Sequence, residues 1–319
     1  MERSSNKNVK VGYFYVGKEV QHECREFSHP ESAKRLSLIE EQISNNEHLG
    51  DLVFVPQSEV IEGCVELAHD PKYIGKIKSV SKRIRNKNWY LDRRDTYIDK
   101  GTFEAAYLAA STACAAIQYV TENKLSHAFC AIRPPGHHAS SKEFGGFCIF
   151  NNVAIASKFF LNMCPDKKVL VIDWDTHFGN GTFSIVKKLN PIYFFDISTV
   201  NFPITGKKKK PEDKNRQSLI QISKSSTQIE YLDKFKSQLE KISTIFSPDV
   251  IVVSAGFDTH KNDPMHGFSL EEKAYFDMTR SILNSFTTIP IVSVLEGGYN
   301  PRALALSVEQ HLLALTSNE

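Results

Sequence analysis

An α/β fold, with a mainly parallel sheet flanked by helices on both faces, is what this 319-residue sequence predicts. Three observations carry it. Short apolar runs bounded by loops recur at 11–16, 127–132, 168–173, 191–196, 249–254 and 290–295. Several are rich in Val and Ile on both faces, as strands covered on two sides must be. Helical patterns fill the intervals between them, the alternation that a sheet covered by helices requires. No Pro/Gly/Ser-rich linker, internal repeat or shift in composition divides the chain, so residues 1–319 read as one domain.

Each element has its own signal. The run at 11–16 is the first strand. Segment 101–120 is alanine-rich and apolar nearly all round, a buried helix, and it leads into the strand at 127–132. The runs at 168–173 and 191–196 follow. Segment 227–246 places Ile229, Leu232, Phe235, Leu239, Ile242 and Ile245 at spacings of three and four, an amphipathic stripe. After the strand at 249–254, Ser269-Leu-Glu-Glu272 reads as a capping box opening a helix through Tyr275, Met278, Ile282 and Leu283. The run at 290–295 closes the set.

Composition excludes several classes. Apolar residues at 41% and charged residues at 24% rule out a wholly disordered chain. Thirty-nine Lys+Arg against 37 Asp+Glu, a net +2, argues against a dedicated nucleic-acid binder, and no sequence-specific contact with nucleic acid is expected. Six cysteines at 24, 64, 114, 130, 148 and 164 form no CxxC pair, which disfavours a disulfide framework or a thiolate zinc site. No stretch nears the roughly 18 consecutive apolar residues of a membrane helix. Residues 1–8 lack the apolar core of a secretory signal. The expectation is a cytoplasmic protein with no membrane partner. Two stretches are locally basic: 72–94, with nine Lys or Arg and the single acid Asp92, and the run Lys207–Lys210. Such runs are usually solvated faces or loops; the sharper readings are attraction of acidic partners and a nuclear-import signal.

Chemistry concentrates after the apolar strands. In Val169-Leu-Val-Ile-Asp173-Trp-Asp175-Thr-His177-Phe-Gly-Asn180, strand alternation points Asp173, Asp175 and His177 to one side while strand geometry lasts. Three such groups at an apolar strand end are costly unless paired, and a divalent metal would pair them. An Asp/His hydrogen-bond cluster is the bland alternative. Asp258 ends the run from Asp249 and could complete an Asp175–His177–Asp258 set, leaving a fourth position open as catalytic zinc requires; otherwise it caps a loop. His137 and His138 follow the strand at 127–132 and suit acid–base work near neutral pH. Tyr299, after two glycines beyond the strand at 290–295, could polarise a carbonyl. Singly, a His pair or such a tyrosine is more often structural. Four such elements at successive strand ends are hard to ascribe to chance.

With these residues in place, the sequence resembles the zinc-dependent histone deacetylase family, which shares the arginase-type fold. The resemblance lies in Arg133–Ala139, Gly145–Asn152, Asp173–Thr182, Phe202–Gly206, Ser254–Pro264 and Leu295–Asn300, with weaker similarity in Ser28–Leu36 and Arg94–Ala110. The Leu-Glu-Gly-Gly-Tyr form is similar to the class II branch and its bacterial relatives. The resemblance implies zinc held by Asp175, His177 and Asp258. His137 and His138 would handle protons, oriented by Asp173 and Asn180, and Tyr299 would hydrogen-bond the scissile carbonyl. Phe147 and Phe202 would wall a tunnel for the lysine stem, with Gly146 on its lining. Asp95 would hold substrate backbone at the rim, and Arg35 would stand near an inner channel. A potassium ion is implied near Asp173, Asp175 and His177, completed by Asp196 or Ser198.

Three departures bear on these expectations. Phe178 stands where the family commonly has a second histidine, so altered packing near the metal strand is expected rather than lost activity. The loop after Gly206 is lysine-rich where relatives are glycine-rich. Met265 stands where polyamine-directed relatives carry a glutamate, which favours acyl-lysine over a cationic polyamine tail. The leading expectation is therefore a zinc-dependent protein-lysine deacylase, acetyl by default, acting on proteins that include histones. Its rivals are an acetylpolyamine amidohydrolase, a catalytically weak acyl-lysine binding module and, less favoured, an arginase-like ureohydrolase. The oxygen-rich ligand set admits Fe²⁺, but zinc is preferred.

Overall fold

All six apolar runs are strands of one sheet. The computed structural model describes residues 9–17, 22–24, 28–57, 59–85, 89–92, 95–199 and 216–317. Within these the order is β1 (Val11–Val16), α1 (Lys34–Ser44), β2 (Val53–Gln57), α2 (Pro71–Arg83), β3 (Trp89–Tyr90), β4 (Tyr97–Ile98), α3 (Thr102–Thr121), β5 (His127–Ala131) and α4 (Asn152–Met163). The second half contains β6 (Val169–Asp173), α5 (Asn180–Val186), β7 (Ile192–Ser198), β8 (Gln217–Gln221), α6 (Gln228–Ile245), β9 (Val250–Ala255), α7 (Glu272–Ser285), β10 (Ile291–Leu295) and α8 (Pro301–Thr316).

The sheet has eight strands in the order β2-β1-β5-β10-β9-β6-β7-β8, and every pairing in it is parallel. β3 and β4 form a separate antiparallel pair. Alternate residues of the strands feed two apolar layers. On β5, Ala128 and Cys130 face α3 and α4, while Phe129 and Ala131 join the layer of α1, α6, α7 and α8. Both faces are thus covered, and this is why the strands read as continuous apolar runs rather than alternating ones. α3 is buried almost all round, as its alanines imply.

One arrangement matters for function. The adjacent strands β5, β10, β9 and β6 occupy the middle of the sheet, and in a parallel sheet all of them end on the same edge. The segments after them, from 132, 296, 256 and 174, therefore meet there although they are far apart in sequence. Sites in open α/β sheets lie beyond this carboxyl edge.

Two local expectations need correction. The capping box at Ser269–Glu272 does not form: α7 begins at Glu272, and its N-cap Glu271 makes no side-chain cap. Glu271 N–H instead donates to Gln228 Oε1 at 2.8 Å, tying the start of α7 to the start of α6. The capping box of this chain is Thr227/Glu230, at the head of α6. The α6 stripe also differs at its ends. Tyr231, Phe235, Leu239 and Ile242 are buried, whereas Ile229 and Ile245, which fall off that face by helical phase, are 71% and 70% exposed.

Phe235, fully buried against Trp174 and Phe195, should cost about 3–5 kcal/mol when replaced by alanine. Ile229→Ala should change stability by no more than about 0.5 kcal/mol. Urea unfolding of the two variants checks the contrast.

Candidate metal centre and active site

β6 ends on Asp173, and strand alternation ends with it. Two successive carboxylate turns then place the ligands. Asp175 N–H donates to Asp173 Oδ1 at 3.1 Å, and His177 N–H donates to Asp175 Oδ1 at 2.9 Å. Aspartates favour this local geometry, in which the side chain accepts the backbone N–H two residues on. The D-x-D-x-H spacing is thus a pair of stacked turns, with Trp174 buried between the two aspartates in the apolar layer beneath.

Asp258 arrives from β9. Its Oδ1 accepts the Thr176 N–H at 3.0 Å. Its Oδ2 lies 3.0 Å from His177 Nδ1 but off the direction a hydrogen bond needs, and has no other hydrogen-bond partner among the described residues. The segment after β10 closes the third side, where Gly297 N–H donates to Asp175 Oδ2 at 2.9 Å. A Cβ on Gly297 would sit 2.7 Å from Asp258 Oδ2, so only glycine lets the backbone approach both carboxylates.

Ligand atoms of Asp175, His177 and Asp258 lie within 4.8 Å of one another. Asp175 and Asp258 are buried. Burial, reinforced by Asp175, pushes the Asp258 carboxyl up to about 7. Burial would lower His177, but Asp175 and Asp258 outweigh it and push the imidazole up to about 10. The cluster thus offsets its own repulsion by holding a proton on His177. A divalent cation fits the same place: it would replace that proton, satisfy the orphaned Asp258 oxygen and use a donor set of two carboxylates and one imidazole.

Beside this cluster stand the two histidines, their rings 4.0 Å apart. His137 Nδ1–H donates to Asp173 Oδ2 at 3.1 Å, and His138 Nδ1–H donates to Asn180 Oδ1 at 2.6 Å. Burial disfavours charge on both, yet their neighbours separate them. Asp175 and Asp173 hold His137 well above the usual histidine range. His138 falls well below it, through burial and the adjacent His137 and His177. Gly146, at φ +53°, lies against His138, and a Cβ there would collide with the ring.

Tyr299 is 9% exposed; burial, then Asp258, pushes its phenol well above 10, so the hydroxyl stays a donor. Phe147 meets Tyr299 edge to face at 5.4 Å, and His29 meets Phe147 in the same way at 4.8 Å. Arg35 is fully buried, its guanidinium 5.1 Å from the Tyr299 ring centroid and its Nε–H donating to Gly298 O at 2.6 Å.

The remaining expected residues are placed as follows. Asp95 is exposed, its carbonyl accepting the His29 Nε2–H at 3.2 Å. Met265 is 36% exposed. Asp173 and Asp196 are register partners on β6 and β7, and Ser198 Oγ–H donates to Asp196 Oδ1 at 2.8 Å, so both candidates for the potassium set stand together. Phe178 is buried against Phe183, at 5.6 Å between ring centroids. Phe202 and Lys207–Lys210 lie outside the described residues.

Three acids went unnoticed in the sequence. Glu296 Oε2 accepts the N–H groups of Gly136 and His137 at 2.6 and 3.1 Å, holding the histidine loop to the end of β10. Asp263 accepts N–H groups from Met265, Tyr299 and Asn300. Glu31 pairs with both Arg35 and Arg133. An acid directly after an apolar strand was a usable signal for Glu296, as it was for Asp258; no spacing marks the other two.

Comparison with known proteins identifies the family. Residues 29–315 match the family described as the histone deacetylase domain. Histone deacetylase 5 of Arabidopsis thaliana is 32% identical over 95% of this chain and 48% of its own length. A probable deacetylase of Archaeoglobus fulgidus is 31% identical over 86% of this chain and 77% of its own. The crystal structure of the HDA15 HD domain superposes with a TM-score of 0.83 at 25% identity, over 96% of this chain and 89% of that one. The chain spans less than half the length of several of its relatives, 48%, 38% and 14% of three of them.

Zinc at about 100 times its dissociation constant should stabilise the fold by about 2.7 kcal/mol. Asp258→Asn should lose most of that gain while its metal-free form melts no lower than the wild type, since one of two like charges is gone. Thermal melts with zinc and with chelator test both halves.

Proposed function

Because the chain belongs to the histone deacetylase family, we propose that it is a zinc-dependent hydrolase that removes acyl groups, acetyl by default, from lysine side chains of proteins, histones among them. The observation that carries this reading is the meeting of Asp175, His177, Asp258, the paired histidines and Tyr299 at one sheet edge. The catalytic domain would run through 1–319, within which the family match covers 29–315. The same reading expects a cytoplasmic protein, with Lys207–Lys210 a contact for acidic partners or a nuclear-import signal.

Zinc held by Asp175, His177 and Asp258 supplies Lewis acidity toward the carbonyl and lowers the pKa of water. The chain's own residues do the rest. Neutral His138, steadied by Asn180, accepts a proton at Nε2 and later returns it to the departing amine. His137, kept cationic between Asp173 and Asp175, sets positive charge beside the developing oxyanion. Tyr299 donates its hydroxyl to that oxygen from a fixed, buried position. Phe147 and Gly146 flank the lysine stem, and Asp95 engages the substrate backbone. Potassium would sit at Asp173, Asp196 and Ser198, offsetting the two paired carboxylates. Exposed Met265 offers no charge to a polyamine and supports acyl-lysine over that alternative.

Tyr299→Phe should lower kcat by about 10²- to 10³-fold on an acetyl-lysine peptide with little change in KM. Acetylputrescine should turn over poorly beside that peptide, and chelation should abolish both reactions. Wild-type rates in Tyr299→Phe would remove the proposed role, and preference for acetylputrescine would favour the polyamine reading.

A further inference from the structure

A second group of ligand atoms lies beside the first. A nitrogen of His137, Sγ of Cys148 and a carboxylate oxygen of Glu296 are all within 4.8 Å of one another, and all three residues are buried. They come from three segments: the loop after β5, the short turn bridged at Gly145 and Cys148, and the end of β10. Two further observations bear on what the group could hold.

The first is an orphaned atom. Glu296 is fully buried, and only its Oε2 is used, by the Gly136 and His137 N–H groups. Its Oε1 has no hydrogen-bond partner among the described residues. An unsatisfied oxygen of this kind is costly and asks for an explanation. His137, for its part, commits Nδ1 to Asp173, and its Nε2, 3.8 Å from Asp175 Oδ1, carries a proton that a metal ion would displace. A ring anchored through one nitrogen by a carboxylate is how ligating imidazoles are commonly held.

The second is charge. Asp173, Asp175, Asp196, Asp258 and Glu296 are each no more than 1% exposed. Among the described residues no Lys or Arg side chain pairs with any of them. One divalent ion at Asp175, His177 and Asp258, a monovalent ion at Asp196 and the protonated His137 offset four of the five charges and leave one over.

We propose that His137, Cys148 and Glu296 form a second, inhibitory site for a thiophilic divalent cation: zinc beyond one per chain, or cadmium. Sulfur, nitrogen and oxygen together suit these ions and not Mg²⁺ or Ca²⁺, which take oxygen ligands. On binding, Cys148 loses its thiol proton and His137 its Nε2 proton to solvent as the two metal bonds form; nothing is oxidised or reduced. Burial holds that thiol well above its ordinary range, so binding weakens as pH falls. Occupation displaces the proton that makes His137 cationic and so removes the ring from the reaction. The inhibition, though not the binding, rests on the role given to His137 above.

The test titrates the zinc-loaded full chain with Cd²⁺ and reads the ultraviolet thiolate-to-cadmium band together with acetyl-lysine turnover. The expected result is a band that saturates at one added equivalent while turnover falls in parallel. Cys148→Ser, close in volume and outside the catalytic set, should keep the turnover of the metal-replete protein, lose the band and need at least about tenfold more Cd²⁺ for inhibition. Absence of the band in the wild type overturns the proposal. So does an undiminished band in Cys148→Ser, which would assign it to another of the six thiols. A saturating band in a chain without turnover would sink the hydrolase reading and leave the site standing.

Discussion

Five carboxylates buried at one edge of an apolar sheet are the constraint on which the rest of this structure depends. Asp173, Asp175, Asp196, Asp258 and Glu296 sit where solvent cannot stabilise them, and isolated charges there would be prohibitively costly. The chain answers with backbone N–H groups. Asp175 N, His177 N, Thr176 N, Gly179 N, Gly297 N, Gly136 N and His137 N each donate to one of these acids. Loops at the edge are therefore shaped by the acids they serve. Gly297 follows from the same demand, since its backbone must come close where side chains leave no room.

The acids also divide the work of two neighbouring histidines. His137 faces Asp173 and Asp175, whereas His138 faces Asn180 and two other imidazoles. One chemical type is thereby held above its ordinary range in one ring and below it in the other, 4.0 Å away. The asymmetry arises from partners alone, which is the usual way sites separate acid from base.

Much of this was legible in the sequence, for a physical reason. A parallel sheet covered on both faces buries whole strands, so its central members appear as unbroken apolar runs. The edge strands β2 and β8 escaped notice because they are covered less: Val53 and Phe54 remain exposed, and β8 begins and ends in glutamine. The ligand set was legible because acids following apolar strands stand out against their surroundings. Asp263 and Glu31 were not, since the contacts that place them, backbone N–H groups of Tyr299 and Asn300 for one and the Arg133 guanidinium for the other, leave no periodic trace. The misplaced capping box has a similar origin. Ser269–Glu272 has the right letters, but the loop before α7 is set by tertiary contact with Gln228 instead.

The strand order has a consequence for synthesis. Among the described strands β10 is the last to leave the ribosome, yet it lies between β5 and β9 in the centre of the sheet. Until it inserts, the earlier strands can form only two separate half-sheets, each with a long apolar edge open to other chains. The nascent protein therefore carries an aggregation hazard through most of translation, and slow long-range pairing completes it at the end. Glu296, Gly297 and Tyr299 arrive with that final strand. Assembly of the centre is thus a checkpoint on the whole fold, because no partially made chain can display it.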